Sequence, residues 1–512
     1  MIDPANHAGD ERPAQADSVG LRLASGPGRW VLTATVLGSA LAAIDATVVG
    51  IALPAIGREF GVGLGALQWV VTAYTLTLAG LLLVSGSLGD KFGRKRVFTI
   101  GVIWFAVASV LNSVAPDPGF LIAARALQGV GAALLTPGSL AIISATFAPD
   151  DRSKAIGAWA GFSGVGTAIG PFIGGWLVAA YSWRLIFVIN VPLAALVVRV
   201  TMQHVPETRD PDATGPIDMV GAGLVTVGLI GLTYGLIQGP VSGWAAPAVI
   251  AALAAGIILL GAFVAREHRT PYPMLSLGLF ASRQFTVTNI VTFIVYGAIG
   301  GALFLLPIAL QQVSGYTALQ AGISLLPVTV IALALSRQSG ALAARIGPRL
   351  QLSAGPILIG LGFALFVLVG RSGNYLTEVL PGVVVLGFGL VATVAPLTST
   401  VLAAVSANHA DMASAVNNDV ARAASLLAVA LLPAAGGITG DAYLHPDRFE
   451  AGFHTASLIA AALCLAGGAL AAVVIRNPSR AERAALVQQP LLHCALDAPP
   501  RVSGGTRLRP SQ

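Results

Sequence analysis

Gly86-Ser-Leu-Gly-Asp90-Lys-Phe-Gly93-Arg-Lys-Arg96 lies between two long apolar runs, and Gly340-Ala-Leu-Ala-Ala-Arg345-Ile-Gly347-Pro-Arg349-Leu repeats its skeleton 254 residues later. Gly86 and Gly340, Leu88 and Leu342, Lys91 and Arg345, Gly93 and Gly347, and Lys95 and Arg349 match without a gap. Any short Gly/Arg loop between apolar helices shares some of this look, but five matches in eleven positions favour duplication of one unit. Eight apolar spans separate the two loops, so two related six-span halves leave a further pair of spans between them. A duplicated bundle is transporter architecture, with a site near mid-membrane where the halves meet.

Outward from these loops, the apolar runs read as spans at 30–53, 67–88, 97–115, 119–146, 155–179, 184–201, 217–238, 245–265, 285–310, 317–336, 351–370, 379–403, 419–440 and 455–475. The 512 residues are 55% hydrophobic and 10% charged, with a mean hydropathy of +0.80. A globular domain carries roughly 25% charged residues, whereas a bilayer demands about 20 consecutive apolar residues per helix. The expected fold is an all-α integral membrane protein of fourteen transmembrane helices. It comprises a disordered tail 1–29, an N-terminal six-helix bundle 30–201, an inserted helix pair 217–265, a C-terminal six-helix bundle 285–475 and a disordered tail 476–512. The loops are too short to hold a soluble catalytic domain.

Charge sets the orientation. With a cytoplasmic N-terminus, 23 of the 29 Lys and Arg fall on inside segments, against Arg58, Arg184, Arg371 and Arg448 outside and Arg125 and Arg422 within spans. Both termini and the 89–96 loop are then cytoplasmic by the positive-inside rule. The first span is too long for a signal-peptide core. The net charge of +6 scatters over loops and tails, so it describes no nucleic-acid face. Cys464 and Cys494 have no disulfide logic. No Gly-Lys-Ser/Thr occurs, so energy must come from a gradient and not from a P-loop ATPase. The seven histidines read as tail or loop residues, and no metalloprotease or nucleophile-elbow pattern occurs, so neither an enzyme, a metal nor a cofactor is expected.

Asp45 is the carboxylate that reads as deep within a span. A charge there costs about 2.5–3.5 kcal/mol on insertion scales, so it needs a partner or a purpose. Proton carriage is one purpose; a static ion pair or hydrogen bond is the alternative. Arg125 in span 4 stands at a similar depth, both roughly 9–12 Å below the outer surface at 1.5 Å per residue, which makes a pair feasible. Snorkelling of Arg125 to the interface is the other option. In span 5, Gly166, Gly170 and Gly174 recur every fourth residue beside Pro171 and Gly175, a face that lets another helix approach closely.

Together these residues resemble the major facilitator superfamily, and within it the 14-helix drug:proton antiporter branch of EmrB/QacA type, over about residues 30 to 475. Gly86, Asp90, Lys91, Gly93, Arg94 and Lys95 look like the superfamily's loop motif between helices 2 and 3. Arg125 with Gln128, Gly129 and Gly131 is similar to the helix 4 motif linked to proton coupling. Gly166, Gly170, Pro171, Gly174 and Gly175 resemble the helix 5 antiporter motif of exporters. Asp45-Ala-Thr47, Gln68-Trp69 with Thr72 and Tyr74, and Trp183-Arg184 through Asn190 and Pro192 resemble the branch's helix 1, 2 and 6 motifs. Gly50 departs from the Asn usual there, and Asn417, Asn418 and Arg422 look subfamily-specific.

The resemblance implies a proton-coupled exporter of small hydrophobic or cationic compounds, of multidrug type, in a bacterial cell membrane. Its partners would be a small-molecule substrate, protons and the lipid bilayer, with no nucleic acid and no cofactor. Asp45 and Arg125 would couple protons, and the 86–95 loop would gate, with Asp90 capping or pairing with nearby basic groups at the cytoplasmic face and so holding the halves together in the outward-open state. Thr47, Gly50, Tyr74, Gln128, Asn190, Tyr296, Phe304 and Gln311 are the expected substrate-cavity residues. The alternative is an exporter or importer of an endogenous metabolite or lipid on the same fold. A sensor or channel is disfavoured, since no signalling domain or pore ring is legible.

Overall fold

The computed structural model describes residues 20–210, 217–271, 273–406 and 410–477, of which those up to Ile475 belong to one compact unit. The expected tails lie mostly outside these. Residues 20–29 are an exception to the expected disorder: Leu21 bridges to Phe147, and the Leu23 amide donates to Asp151 at 3.0 Å. Lys154 and that amide hold the Asp151 carboxyl below the usual aspartate range.

The N-terminal bundle contains α1 (Gly26–Phe60), α2 (Leu64–Phe92), α3 (Arg94–Ser113), α4 (Pro118–Thr146), α5 (Pro149–Ala180), α6 (Leu185–Val188) and α7 (Asn190–His204). The inserted pair is α8 (Met219–Ser242) and α9 (Pro247–Glu267). The C-terminal bundle contains α10 (Arg283–Gln312), α11 (Ala318–Ser324), α12 (Leu326–Ile346), α13 (Pro348–Leu365), α14 (Leu380–Ala403), α15 (Ala410–Ala435) and α16 (Pro446–Val474). Two spans are interrupted, α6 with α7 and α11 with α12, so the sixteen helices make fourteen crossings. Among the described residues, thirteen segments are long and apolar enough to cross a membrane, and α5, with 32 residues, is the fourteenth helix. Side-chain caps fix several starts: Asp117 accepts from Phe120 N, and Thr317 and Gln320 form a capping box on α11.

Duplication is written in the packing. In the N-terminal bundle α3 packs on α4, α2 on α4, α1 on α5, and α7 on both α1 and α3. In the C-terminal bundle the corresponding pairs recur as α13 on α14, α12 on α14, α10 on α15, and α16 on both α10 and α13. The quoted loops, however, are largely helix. α2 runs to Phe92 and α12 to Ile346, so each "loop" is a single glycine between two helices. Gly93 (φ 110°) and Gly347 (φ 87°) each end one helix and start the next. Helix continues through the charged residues because long basic side chains reach water from a helix end. Only the positive φ, open to glycine, breaks it.

The inserted pair packs on itself and, through α8, on α2 and α15. Asp218 caps α8 and takes a forked contact from Arg266 of α9, at 2.8–3.0 Å. That guanidinium holds the Asp218 carboxyl below the ordinary range.

The bundles meet at the end remote from Gly93 and Gly347. Gln311 Nε2 donates to the Ile51 carbonyl at 3.0 Å, and Gln68 Nε2 to the Val429 carbonyl at 2.7 Å. There α11 lies against α5 backbone to backbone. A Cβ on Gly322 would stand 2.2 Å from the Pro171 carbonyl oxygen, and one on Gly175 2.6 Å from that of Ala318.

Candidate functional site

Asp45, twenty residues into α1, is 1% exposed, and so is Arg125 of α4. The structure pairs them: Arg125 Nη1 meets Asp45 Oδ2 at 2.7 Å. The snorkelling alternative for Arg125 is thereby excluded. The same guanidinium donates to the Val70 carbonyl at 3.1 Å and to Gln128 Oε1 at 2.5 Å, and it lies 4.3 Å from the centroid of the Tyr74 ring. Asp45 Oδ1 accepts from Gln128 Nε2 at 2.8 Å and from Asn190 Nδ2 at 2.9 Å. Ser109 Oγ and Asn112 on α3 complete the set through Gln128 and Asn190. Five helices thus contribute to one buried network, whose carboxylate has three donors and one countercharge. Such a group is strongly held only while all donors stay in place.

Three of the expected cavity residues therefore belong elsewhere. Tyr74, Gln128 and Asn190 are buried inside the N-terminal bundle. Gln128 and Asn190 spend their amide groups on the ion pair, and the Tyr74 ring lies against the Arg125 guanidinium. Gln311 does not line the cavity either; it bonds across the bundle seam to Ile51. Tyr296, half-buried on α10, does not border the cavity.

Between the bundles lies a cavity of about 280 Å³ bordered by Thr47, Gly50, Thr72, Thr75, Phe304 and Ser425 among mostly apolar neighbours. Thr47, Gly50 and Phe304 are the residues of the expected set that border it. Nothing lies within 4 Å of the position a Gly50 Cβ would take, so the departure at Gly50 widens the space. The antiporter-type glycines pack α5 on α1: Gly166 sits on Ala40, Gly170 on Thr47 and Ile44, and Gly174 on Val48. Pro171 itself borders the cavity.

At the other end, Asp90 pairs with Arg94 of its own bundle at 2.7 Å, and its carbonyl accepts from Asp210 N. No hydrogen bond or ion pair found among the described residues ties Asp90 to the C-terminal half. Glu207 caps the start of α3, accepting from Lys95 N at 3.0 Å and Arg96 N at 3.2 Å, while Lys95 Nζ donates to the Met202 carbonyl. Gly86 lies within α2, and Lys91 in its last turn.

The sequence reading missed several polar residues. Ser109 and Asn112 were legible only as polar residues in an apolar span. In the C-terminal bundle Asn417 Nδ2 bonds Asn289 Oδ1 at 3.0 Å and Thr292 Oγ1 at 2.8 Å. Asp45 is also not the one deep carboxylate: α15 begins nine residues before Asp419, which places that residue well inside a helix. Histidines are likewise not confined to loops. His204 ends α7 and stacks on Trp30 at 4.8 Å, and His454 lies within α16, its Nε2 2.8 Å from the Val369 carbonyl. His7, His409 and His493 fall outside the described residues.

Residues 35–428 match the sequence profile of the Major Facilitator Superfamily. Puromycin resistance protein pur8 of Streptomyces alboniger is 35% identical over 422 residues, covering 81% of this chain and 83% of the relative. Multidrug efflux pump LfrA of Mycolicibacterium smegmatis is 34% identical, covering 79% and 80%. Among solved structures, a bacterial homologue of the human lysosomal transporter Spinster, inward-facing and unoccupied, superposes with a TM-score of 0.65 at 17% identity, over 89% of this chain and 99% of that one. At that identity the likeness speaks to fold.

Proposed function

The chain belongs to the Major Facilitator Superfamily, and from that premise we propose that it is a proton-coupled exporter of small hydrophobic or cationic compounds, working by alternating access. The observation that carries this reading is a buried, charge-paired carboxylate one helix wall away from a mostly apolar cavity between two related bundles. Relatives named for puromycin resistance and multidrug efflux support export.

With the basic residues on the cytoplasmic side of a bacterial cell membrane, both termini are cytoplasmic and the sealed end, at Gly322 and Pro171, faces outward. The cavity is then reached from inside. Substrate enters among Thr47, Gly50, Phe304 and Ser425, where apolar contact supplies affinity with little chemical selectivity. Rocking of the bundles would open the Gly322–Pro171 seam and close the end near Gly93 and Gly347. Asp45 and Arg125 form the coupling pair of the N-terminal bundle. Any shift of α1 against α4 strains the set of donors on Asp45 and changes how firmly its charge is held. Asp90 bonded to Arg94 is a contact of this inward state; exchange of that partner for one across the seam would mark the outward state.

The test is ethidium efflux from intact cells. Active efflux should stop when an uncoupler collapses the proton gradient, and Asp45→Asn should insert normally yet lose gradient-driven efflux. Efflux unaffected by the uncoupler would defeat the reading. Net uptake down the same gradient would favour import of an endogenous compound.

A further inference from the structure

Asp419 is a carboxyl the coupling pair does not use. Both its oxygens are buried and accept no hydrogen bond from the described residues. It lies nine residues into α15, about 14 Å at 1.5 Å per residue. Two turns on along the same stripe, Leu426 packs with Leu76 of α2 and Leu229 of α8, so Asp419 is on the side turned to α2 and the inserted helix. An ionised carboxylate without donors is costly in such a place; the uncharged acid costs far less.

Arg422, one turn from Asp419, makes no hydrogen bond or ion pair with the described residues. It shares a helix face with Ser425 and Val429, which both border the central cavity. Its charge acts on Asp419 and, across the seam, on Tyr74. The helices packed on α15 bring little else. α14 has no charged residue, and α10 has only Arg283 at its start. α2 has Asp90 and Lys91 at its end, and the Asp218 cap of α8 is taken by Arg266. The charged residues of α16, Asp447, Arg448 and Glu450, lie with His454 in its first nine residues, at the sealed end. Asp411 is in the first turn of α15 itself. Tyr74, Tyr234, Tyr296 and Cys464 are the remaining titratable side chains on these helices.

Resting on the antiport reading above, we propose that Asp419 and Arg422 form a proton-gated charge switch in the cavity wall, acting on cationic substrates. With the proton on Asp419, Arg422 presents an uncompensated positive charge to the cavity. When that proton leaves toward the side the cavity faces, carboxylate and guanidinium neutralise each other and the cavity admits a cation. A proton returning from the opposite side restores the Arg422 charge and drives the cation off. One proton therefore moves inward for each positive charge moved outward through this site. The inserted helix gains a role: α8 closes an apolar wall beside Asp419, which makes the proton necessary.

The experiment uses the full-length protein in proteoliposomes with ethidium as probe. The wild type should release about one proton per ethidium bound, and Asp419→Asn should lower both that release and the gradient-driven flux, the flux roughly tenfold. Asp419→Glu should restore both, and Arg422→Gln should bind ethidium equally well at acid and neutral pH. Proton release by Asp419→Asn at the wild-type ratio would overturn the switch. Should Asp419→Asn not fold, infrared difference spectra of the wild type decide. Ethidium should remove a protonated-carboxyl band that shifts in Asp419→Glu, and no change in that band overturns the proposal. If the wild type itself exchanges no proton for ethidium, the antiport reading fails. If it exchanges protons and Asp419→Asn does so equally, only the switch fails.

Discussion

In the N-terminal bundle the buried carboxylate of Asp45 receives hydrogen bonds from Arg125, Gln128 and Asn190. In the C-terminal bundle one buried hydrogen-bonded cluster is the neutral trio Asn289, Thr292 and Asn417, and the carboxyl of Asp419, two residues on from Asn417, receives no hydrogen bond from the described residues. The same contrast recurs at the related glycines. Gly93 is flanked by Asp90, bonded to Arg94, and by Glu207 on the α3 start, whereas Ala344 stands at the position matching Asp90. Gly347 keeps the positive φ, and Arg349 Nε donates to the Ala472 carbonyl at 2.8 Å. Duplication has preserved what packing requires, small residues and backbone geometry. Charge differs between the halves, and a buried charge is costly to keep without a partner.

The sharpest way to break the contrast is Arg125→Ala. It leaves Asp45 buried without its countercharge, a loss of about 3–5 kcal/mol. A large fall in the thermal midpoint of purified protein and no efflux are expected. Arg125→Lys should fold better but couple weakly, since a point charge cannot reach Val70, Asp45 and Gln128 together. An unchanged midpoint in Arg125→Ala would show that the network is not what holds α1 to α4.

Next come the paired glycines. Gly93→Val and Gly347→Val both force a β-branched residue to a positive φ outside the left-handed helical region, about 1–3 kcal/mol each. Gly93→Val should be the worse, because a Cβ there meets Glu207 Oε1 at 2.6 Å. Equal destabilisation in paired melting curves would erase the asymmetry claimed for the two ends.

Asn417→Leu should cost about 1 kcal/mol, the scale of a buried neutral hydrogen bond, and leave proton coupling intact. Loss of coupling in that variant would mean the neutral trio shares the work of the charged one. The smallest effect on stability is expected for Asp90→Ala, a few tenths of a kcal/mol for a half-exposed i,i+4 pair. There the readout is kinetic: slower transport with little change in ethidium affinity. A large affinity loss at unchanged turnover would place Asp90 in substrate binding.

The sequence announced the Asp45–Arg125 pair because both charges stood at like depth in apolar runs, with few other partners to choose from. It also announced Gly93 and Gly347, because the helix break needs a residue free to take positive φ. It could not say which way Gln128 and Asn190 point. A polar side chain in a span can face a cavity or a buried charge, and only the rotation of the helix against its neighbours decides. Asp419 was overlooked for a different reason. Asn417-Asn418-Asp419 reads as the polar rim of a span, and only the helix extending back to Ala410 reveals its depth. Residues 89–92 read as loop because their charge resembles a connector, although nothing in them breaks a helix before Gly93.

Where α5 meets α11, Gly322 and Gly175 press against carbonyl oxygens with no room for one added carbon. A seam of main chain offers selection almost nothing to vary. New drug preferences in proteins built this way have to arise in the cavity walls, at positions such as the open Gly50, while the sealed seam stays fixed in sequence. Resistance profiles could then drift quickly between relatives whose gating parts remain interchangeable.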